Sequence, residues 1–413
     1  MRILHVTQGY FPAIGGTERL IQRVSEELAD SGDAVDVFTT DCYNGDAFYT
    51  PSLPRMPTGQ SDINGVTVRR FAVRSRLSRA LRVPQAVAFK LRLPGNDRLR
   101  ALSAGPIVPG LREAIRSAHA EVIAAASFPL LHMFDALAAA RDSRRPCVLI
   151  GCLHPADVWG FQRPMIYRAI READAYIALT TFEADYVVSR GADRHRVHAI
   201  GTGVDAAHYE GISPAEAKWR LGFDGAPLVG FIGQLAQHKG VDTLVRAMPI
   251  VWQVRPDVNL LIAGGRTLYA EEVERAVADW PEAQRRRTVL NLGFREEQKP
   301  WLYGALDVFA SPSGFESFGM SYLEAWAAGK PVIGARSGAV ESVIAEGDDG
   351  LLIDYCDHRA LANAILALLR DPAGAAAMGE AGRAKVRARY TWRHVADRFR
   401  EVYAGSLSEK IGA

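Results

Sequence analysis

The chain has 413 residues, enough for two domains that each bury a core of their own. Charged residues make up 23% and aromatic residues 9%, the make-up of an ordinary soluble globular protein. A net charge of +2 argues against a dedicated nucleic-acid binder.

Residues 2–7 read as a strand that breaks at Gly9-Tyr10-Phe11-Pro12, too soon for the apolar region of a signal peptide. Residues 18–29 are predicted as a helix with Leu20, Val24 and Leu28 on one face and Thr17 as its N-cap. Just before it, Gly15-Gly16-Thr17-Glu18-Arg19 puts glycines at a helix start, where a ligand can approach the backbone; a plain structural turn fits the same residues. Residues 34–40 read as a strand, and residues 63–73 as an extended segment with a turn at Asn64-Gly65. Residues 69–100 hold ten Lys and Arg against one acid, Asp97, with Leu77, Leu81, Val83, Val87 and Leu91 interleaved. This is either a solvated basic face or loop, or a surface for anionic lipid headgroups or a polyprenyl diphosphate.

Residues 122–140 are the best candidate for a membrane span, but Pro129, His132 and Asp135 make them a strand followed by a soluble helix. Any membrane contact is therefore expected to be peripheral. Residues 121–126, 147–152, 175–180 and 197–200 continue the strand series, with a helix at 182–190. His154 follows the strand at 147–152, the end of a strand where open α/β sheets place ligand contacts. A lone loop histidine is otherwise structural or solvated. The cysteines, Cys42, Cys147, Cys152 and Cys356, show no Cys-x-x-Cys pair and no histidine at zinc spacing. They are expected as buried small apolar residues in a reducing cytoplasm.

The second half repeats the rhythm, with strands at 228–232, 259–263, 289–292, 307–310, 331–334 and 351–353. Such alternation predicts parallel sheets with helices on both faces, hence two Rossmann-like α/β domains. The boundary is expected between Gly203 and Ala226, where Gly, Asp and Pro cluster. Gly201-Thr202-Gly203-Val204-Asp205-Ala206 spells a weak dinucleotide fingerprint, because no periodic helix follows it; a nicotinamide enzyme stays a minor alternative. Gly233-Gln234-Leu235-Ala236-Gln237-His238-Lys239-Gly240 follows a strand and precedes a helix. Residues 311–333 read as strand end, tight loop, helix and strand, with Gly314 and Gly319 bracketing the loop and Gly329 and Pro331 ending the helix. The helix start at Gly319, Met320 and Ser321 offers backbone N–H groups to a phosphate. Glu316 in the loop and Glu324 in the helix can accept hydrogen bonds from hydroxyls on either side. That layout suits a nucleotide sugar. Two acids on a solvated helix face are the plain alternative. Residues 392–404 form an amphipathic helix with Val395, Phe399, Val402 and Tyr403.

Across residues 311–333 the chain resembles the Glu-x7-Glu signature of the family-4 retaining glycosyltransferases. The resemblance implies the α/β GT-B fold, two Rossmann-like domains facing a central cleft. Residues 1–204 are then the acceptor-side domain, residues 205–390 bind the nucleotide sugar, and a helix at 391–413 packs back on the first domain. It implies that Glu316 binds the donor sugar, Glu324 the ribose, and His154 the donor sugar near the reaction centre, with the Gly16 loop facing the cleft. The Lys239 segment resembles the family's Gly-Arg-Leu-x3-Lys-Gly stretch, which holds the donor diphosphate. Lys239 matches, whereas Gln234 stands where the family has arginine and supplies an amide in place of a cation.

No Asp-x-Asp occurs, as expected of a site without a metal or cofactor. The expected partners are a UDP- or GDP-sugar donor and a lipid-linked or saccharide acceptor, with no nucleic acid. The expected setting is cytoplasmic, with residues 69–100 touching the inner membrane face if any segment does. The expected function is retaining transfer to an acceptor hydroxyl in cell-envelope glycolipid or polysaccharide synthesis. The alternatives are a GT-B epimerase or phosphorylase, a transferase for a small soluble acceptor, and a non-catalytic binding module.

Overall fold

The computed structural model describes residues 1–13 and 15–412; Ile14, and Ala413 at the end of the predicted tail segment, lie outside them. The chain divides into two compact units. The first takes Met1–Thr202 and the chain from Trp392 onward, and the second takes Gly203–Thr391.

The first unit is built on β1 (Arg2–Val6), β2 (Ala34–Thr40), β3 (Gly59–Ile63), β4 (Val66–Phe71), β5 (Val122–Ala126), β6 (Cys147–Ile150), β7 (Ala175–Ala178) and β8 (Val197–Ala199). Their order across the sheet is β3-β4-β2-β1-β5-β6-β7-β8. Only β3 runs antiparallel, joined to β4 through Asn64 and Gly65 at φ 51° and 76°, the left-handed pair that a two-residue hairpin requires. Central parallel strands are covered on both faces, so they read as unbroken apolar runs; every residue of β5 is buried.

The first helix runs Gly16–Asp30 and its N-cap is Gly15, so Thr17 is not the cap. The Glu18 carboxylate folds back against Gly15: a Cβ there would lie 2.1 Å from Glu18 Oε2, and that flexible side chain would have to move aside for any larger residue. Thr17 instead lies inside the helix with its hydroxyl 3.5 Å from Cys152 Sγ.

The basic segment forms two helices, Ser75–Lys90 and Asn96–Ala104. Val83, Val87 and Leu91 stand exposed on it. It is not a uniform solvated face, because Arg100 is buried between the rings of Phe89 and Trp159, 5.0 and 5.5 Å away. The cysteines are not uniform either. Cys42, Cys147 and Cys152 are buried, whereas Cys356 is exposed in a left-handed turn at φ 67°.

The last helix, Trp392–Gly412, extends beyond the amphipathic stretch read from the sequence. Within the first unit it buries Val395, Phe399 and Tyr403. The Tyr403 hydroxyl lies 3.0 Å from His5 Nε2 on β1, whose Nδ1 is 2.7 Å from Ser25 Oγ. Arg400 donates to Asp33 at 2.7 Å and Lys410 to Asp174 at 2.8 Å.

The second unit holds β9 (Leu228–Ile232), β10 (Asn259–Gly264), β11 (Thr288–Leu292), β12 (Val308–Ser311), β13 (Val332–Ala335) and β14 (Gly350–Ile353). All are parallel, in the order β11-β10-β9-β12-β13-β14. The order reverses between β9 and β12, the topological switch point where such sheets open a crevice at their carboxyl ends. No dinucleotide helix follows Gly201-Thr202-Gly203. Val204 N donates to Tyr390 O at 2.8 Å, and a single short turn, Ala206–Tyr209, comes next. Among the described residues no helix is long and apolar enough to cross a membrane.

Candidate active site

The loops after β9 and β12 flank the switch point of the second unit. The loop after β9 carries Gln234 and Lys239, and the loop after β12 carries Glu316 and Gly319. They are laced together. Gly314 N donates to His238 O at 2.8 Å, and Ser313 Oγ donates to the same oxygen at 3.2 Å. Gly240, at φ 70°, closes the first loop where a Cβ would stand 2.1 Å from Pro312 O. This lacing brings two of the expected residues into contact: Lys239 Nζ donates to Glu316 Oε1 at 2.7 Å. Their side chains are 21% and 10% exposed, sheltered enough for the pair to be stronger than a surface ion pair. Beside them, His238 is held below the usual histidine range by burial, then by the Lys239 charge, against the opposing pull of Glu316. Gln234 is exposed on the same loop.

Gly319 is the N-cap of the Met320–Ala327 helix, at φ 96° with no side chain to cap it. Met320 and Ser321 open the helix. The Tyr322 ring passes under this start, 2.5 Å from where a Gly319 Cβ would be, and its hydroxyl donates to Ser311 O at 2.6 Å. The helix is seated by Trp326, which is fully buried and donates to Asp349 O at 2.8 Å. Gly329 ends it at φ 70°, with its N–H and that of Lys330 donating back to Trp326 O and Ala325 O at 2.8 and 2.9 Å.

Glu324 is held by a different set. Lys299 Nζ donates to its Oε1 at 2.9 Å and the Tyr303 hydroxyl to its Oε2 at 2.8 Å. Lys299 also pairs with Glu296 at 3.0 Å. Burial opposes the charge on Lys299, but Glu324 and Glu296 outweigh it and raise its pKa. Burial, then the Glu324 charge, pushes the Tyr303 phenol up, so it stays a donor. The sequence reading missed both residues. Lys299 and Tyr303 stand four apart on the Lys299–Ala305 helix, and that one-face spacing was the available signal.

His154 and Gly16 belong to the first unit. His154 follows β6 and meets the Phe161 ring edge-on, with centroids 5.4 Å apart. Gly16 opens the first helix, whose next residue, Thr17, reaches Cys152 in the loop before His154. Among the described residues no three His, Cys, Asp or Glu side chains are grouped to hold a metal ion.

Chemically, the second unit offers a cation beside a carboxylate at a sheet's switch point, a glycine-started helix, and a second carboxylate with its own donors. Charge on a diphosphate and hydroxyls on a sugar are what such groups bind.

Comparison with known proteins agrees in both units. Residues 14–208 match the family model described as Glycosyltransferase Family 4, and residues 215–385 match that for glycosyl transferases group 1. The chain is 32% identical over 288 residues to a GDP-mannose-dependent alpha-(1-6)-phosphatidylinositol monomannoside mannosyltransferase of Mycolicibacterium smegmatis, covering 67% of this chain and 74% of that protein. It is 28% identical over 419 residues to a D-inositol 3-phosphate glycosyltransferase of Stackebrandtia nassauensis, covering 96% and 88%. Among solved structures, sucrose-phosphate synthase from Thermosynechococcus elongatus superposes with a TM-score of 0.74 at 22% identity, covering 99% of this chain and 100% of that one. Anabaena HepE in complex with UDP gives 0.73 at 20% identity, covering 98% and 100%. The chain belongs to the family-4 glycosyltransferases, enzymes of GT-B fold that move a sugar from a nucleotide-sugar donor to an acceptor.

Proposed function

We propose that the chain is a retaining, metal-independent mannosyltransferase that uses GDP-mannose and glycosylates a hydroxyl of an inositol-containing, lipid-linked acceptor in cell-envelope glycolipid synthesis. The observation that carries the reading is the Lys239–Glu316 pair at the switch point, 2.7 Å apart. Lys239 is assigned to the donor diphosphate, where its charge offsets that developing on the leaving group. Glu316 accepts hydrogen bonds from the donor sugar and Glu324 from the ribose. Gly319, Met320 and Ser321 present backbone N–H groups to the phosphates, with Gln234 adding an amide contact. His154 contacts the donor sugar and the Gly16 loop faces the substrates, as the family resemblance implies. In a front-face substitution the acceptor oxygen forms the new bond to the anomeric carbon as the bond to the diphosphate breaks. The leaving diphosphate takes the acceptor proton, so the protein supplies position and charge.

The donor is read from relatives named as GDP-mannose-dependent. A soluble phosphorylated polyol is the second reading of the acceptor, favoured by relatives named D-inositol 3-phosphate glycosyltransferase. The test is a matrix of GDP-mannose, UDP-glucose and ADP-glucose against phosphatidylinositol, inositol 3-phosphate and no acceptor, with and without EDTA. Transfer from GDP-mannose, an α-linked product by NMR and full activity in EDTA are expected. Inversion at the anomeric carbon or strict metal dependence overturns the mechanism. Conversion of the donor without any acceptor turns the reading to an epimerase.

A further inference from the structure

Glu183 is a buried carboxylate that this chemistry leaves unused. It is 2% exposed and sits in the first turn of the Thr181–Ser189 helix, whose N-cap Thr180 accepts from Glu183 N at 3.1 Å. Its carboxylate points into the protein, toward the loop that follows β6. Oε1 accepts the Tyr176 hydroxyl at 2.6 Å and Leu153 N at 3.0 Å, while Oε2 accepts Leu179 N at 2.8 Å. A buried charge held by neutral donors is costly unless those bonds are all made.

The loop is shaped around this carboxylate. A Cβ on Gly151 would lie 1.8 Å from Glu183 Oε1 and 2.2 Å from the Tyr176 hydroxyl, so the carboxylate fills the place of a side chain. Cys152 takes φ 66°, a left-handed conformation unusual for a residue with a Cβ, and one that persists only where its surroundings impose it. Leu153 N is fixed by Glu183 Oε1. His154 is the next residue. Of the three residues before it, Gly151 leaves the space that Glu183 fills, Leu153 is bound to Glu183, and Cys152 is held between them in the left-handed turn.

We propose that Glu183 is a positioning residue for glycosyl transfer, its carboxylate holding residues 151–153 so that the His154 side chain is presented to the donor sugar. The inference rests on the reading of His154 as a donor-sugar contact. Glu183→Gln keeps the shape but replaces one acceptor oxygen by an NH2, which must then face an N–H or O–H donor.

The experiment is a double-mutant cycle on the full chain, using the donor selected by the matrix above, GDP-mannose being the one proposed. Glu183→Gln is expected to lower kcat about 10²-fold, as a displacement of about 1 Å at a reacting centre does. The donor KM should stay within about threefold of wild type. In a His154→Ala background the same substitution should change kcat less than about threefold, because the group it positions is gone. Equal losses in both backgrounds would mean a general structural role and overturn the proposal. Wild-type kcat in Glu183→Gln beside an impaired His154→Ala overturns it too, and leaves the reading of His154 standing. Wild-type kcat in His154→Ala sinks that reading and this inference with it. Should Glu183→Gln fail to fold, Tyr176→Phe deletes a single donor. It is expected to cost about tenfold, with the same loss of effect in the His154→Ala background.

Discussion

Lys239 and Glu316 neutralise one another at 2.7 Å, so deleting either changes two things at once. Lys239→Ala removes the cation assigned to the leaving diphosphate, a loss of about 2.7–4 kcal/mol in transition-state stabilisation. It also strands a carboxylate that is only 10% exposed, which costs stability. Adding Glu316→Gln removes the stranded charge. The double variant should regain melting temperature over Lys239→Ala without regaining kcat/KM. Recovery of both would show that Lys239 serves the fold alone. Gln234 is exposed, so an arginine there has room. Gln234→Arg should tighten GDP binding by calorimetry, since a guanidinium forks onto phosphate oxygens. Weaker binding counts against placing that loop on the diphosphate. The two loops were legible in sequence because glycines punctuate them and strands precede them, whereas the roles given to Lys239, Glu316 and Gln234 come from the family resemblance. Lys299 and Tyr303 were not, because their partner lies 25 and 21 positions away and only the packed fold joins them. Glu183 was hidden for another reason. An acid in the first turn of a helix reads as an exposed dipole partner, and nothing in its neighbours announces that it points inward.

At the scale of elements, strands buried on both faces were easy to read as apolar runs. The edge strand β3 was not read beyond Ile63, since Gly59–Ile63 is mostly polar and gains its place by pairing with β4. The basic segment was legible as charge but not as form. Pro84 within the Ser75–Lys90 helix hides it from a propensity argument. Arg74, Arg76, Arg79 and Arg82 are exposed along that segment beside Val83 and Val87, whereas Arg100 is not available to a partner. Each cation near an anionic bilayer contributes about 1 kcal/mol. Replacing those four arginines with glutamine should keep the protein in the supernatant when phosphatidylglycerol vesicles are sedimented at low salt. Wild type should pellet, and should release as salt rises. Wild-type protein that stays in the supernatant at low salt ends the membrane reading and favours the soluble acceptor.

At the scale of the molecule, the first unit carries two histidines sealed in its interior. Burial lowers His5 to about 3 and His132 to about 4, the latter against a bond to Ala126 O. The unfolded chain protonates both near 6.5, before the folded one does. Stability is therefore full above that pH and falls as the solution is acidified toward the folded values. Each histidine contributes a slope approaching about 1.4 kcal/mol per pH unit in that window. Urea unfolding of the first unit from pH 7 to 4.5 should show this slope, and His132→Gln should reduce it by about one proton. An unchanged slope in the variant would mean that carboxylates alone set the acid limit.

The first unit is also written in two pieces, with residues 203–391 between them and Tyr403 closing over His5 at 3.0 Å. A ribosome delivers the N-terminal sheet first but withholds its last helix until the whole second unit has emerged. At about 5–20 residues per second that interval lasts roughly 10–40 s. Throughout it, the face of β1 and the first helix that the last helix will cover stays open on the nascent chain. The second unit, continuous in sequence, is free to finish first. The part of this protein that is born first is thus the last that can be completed.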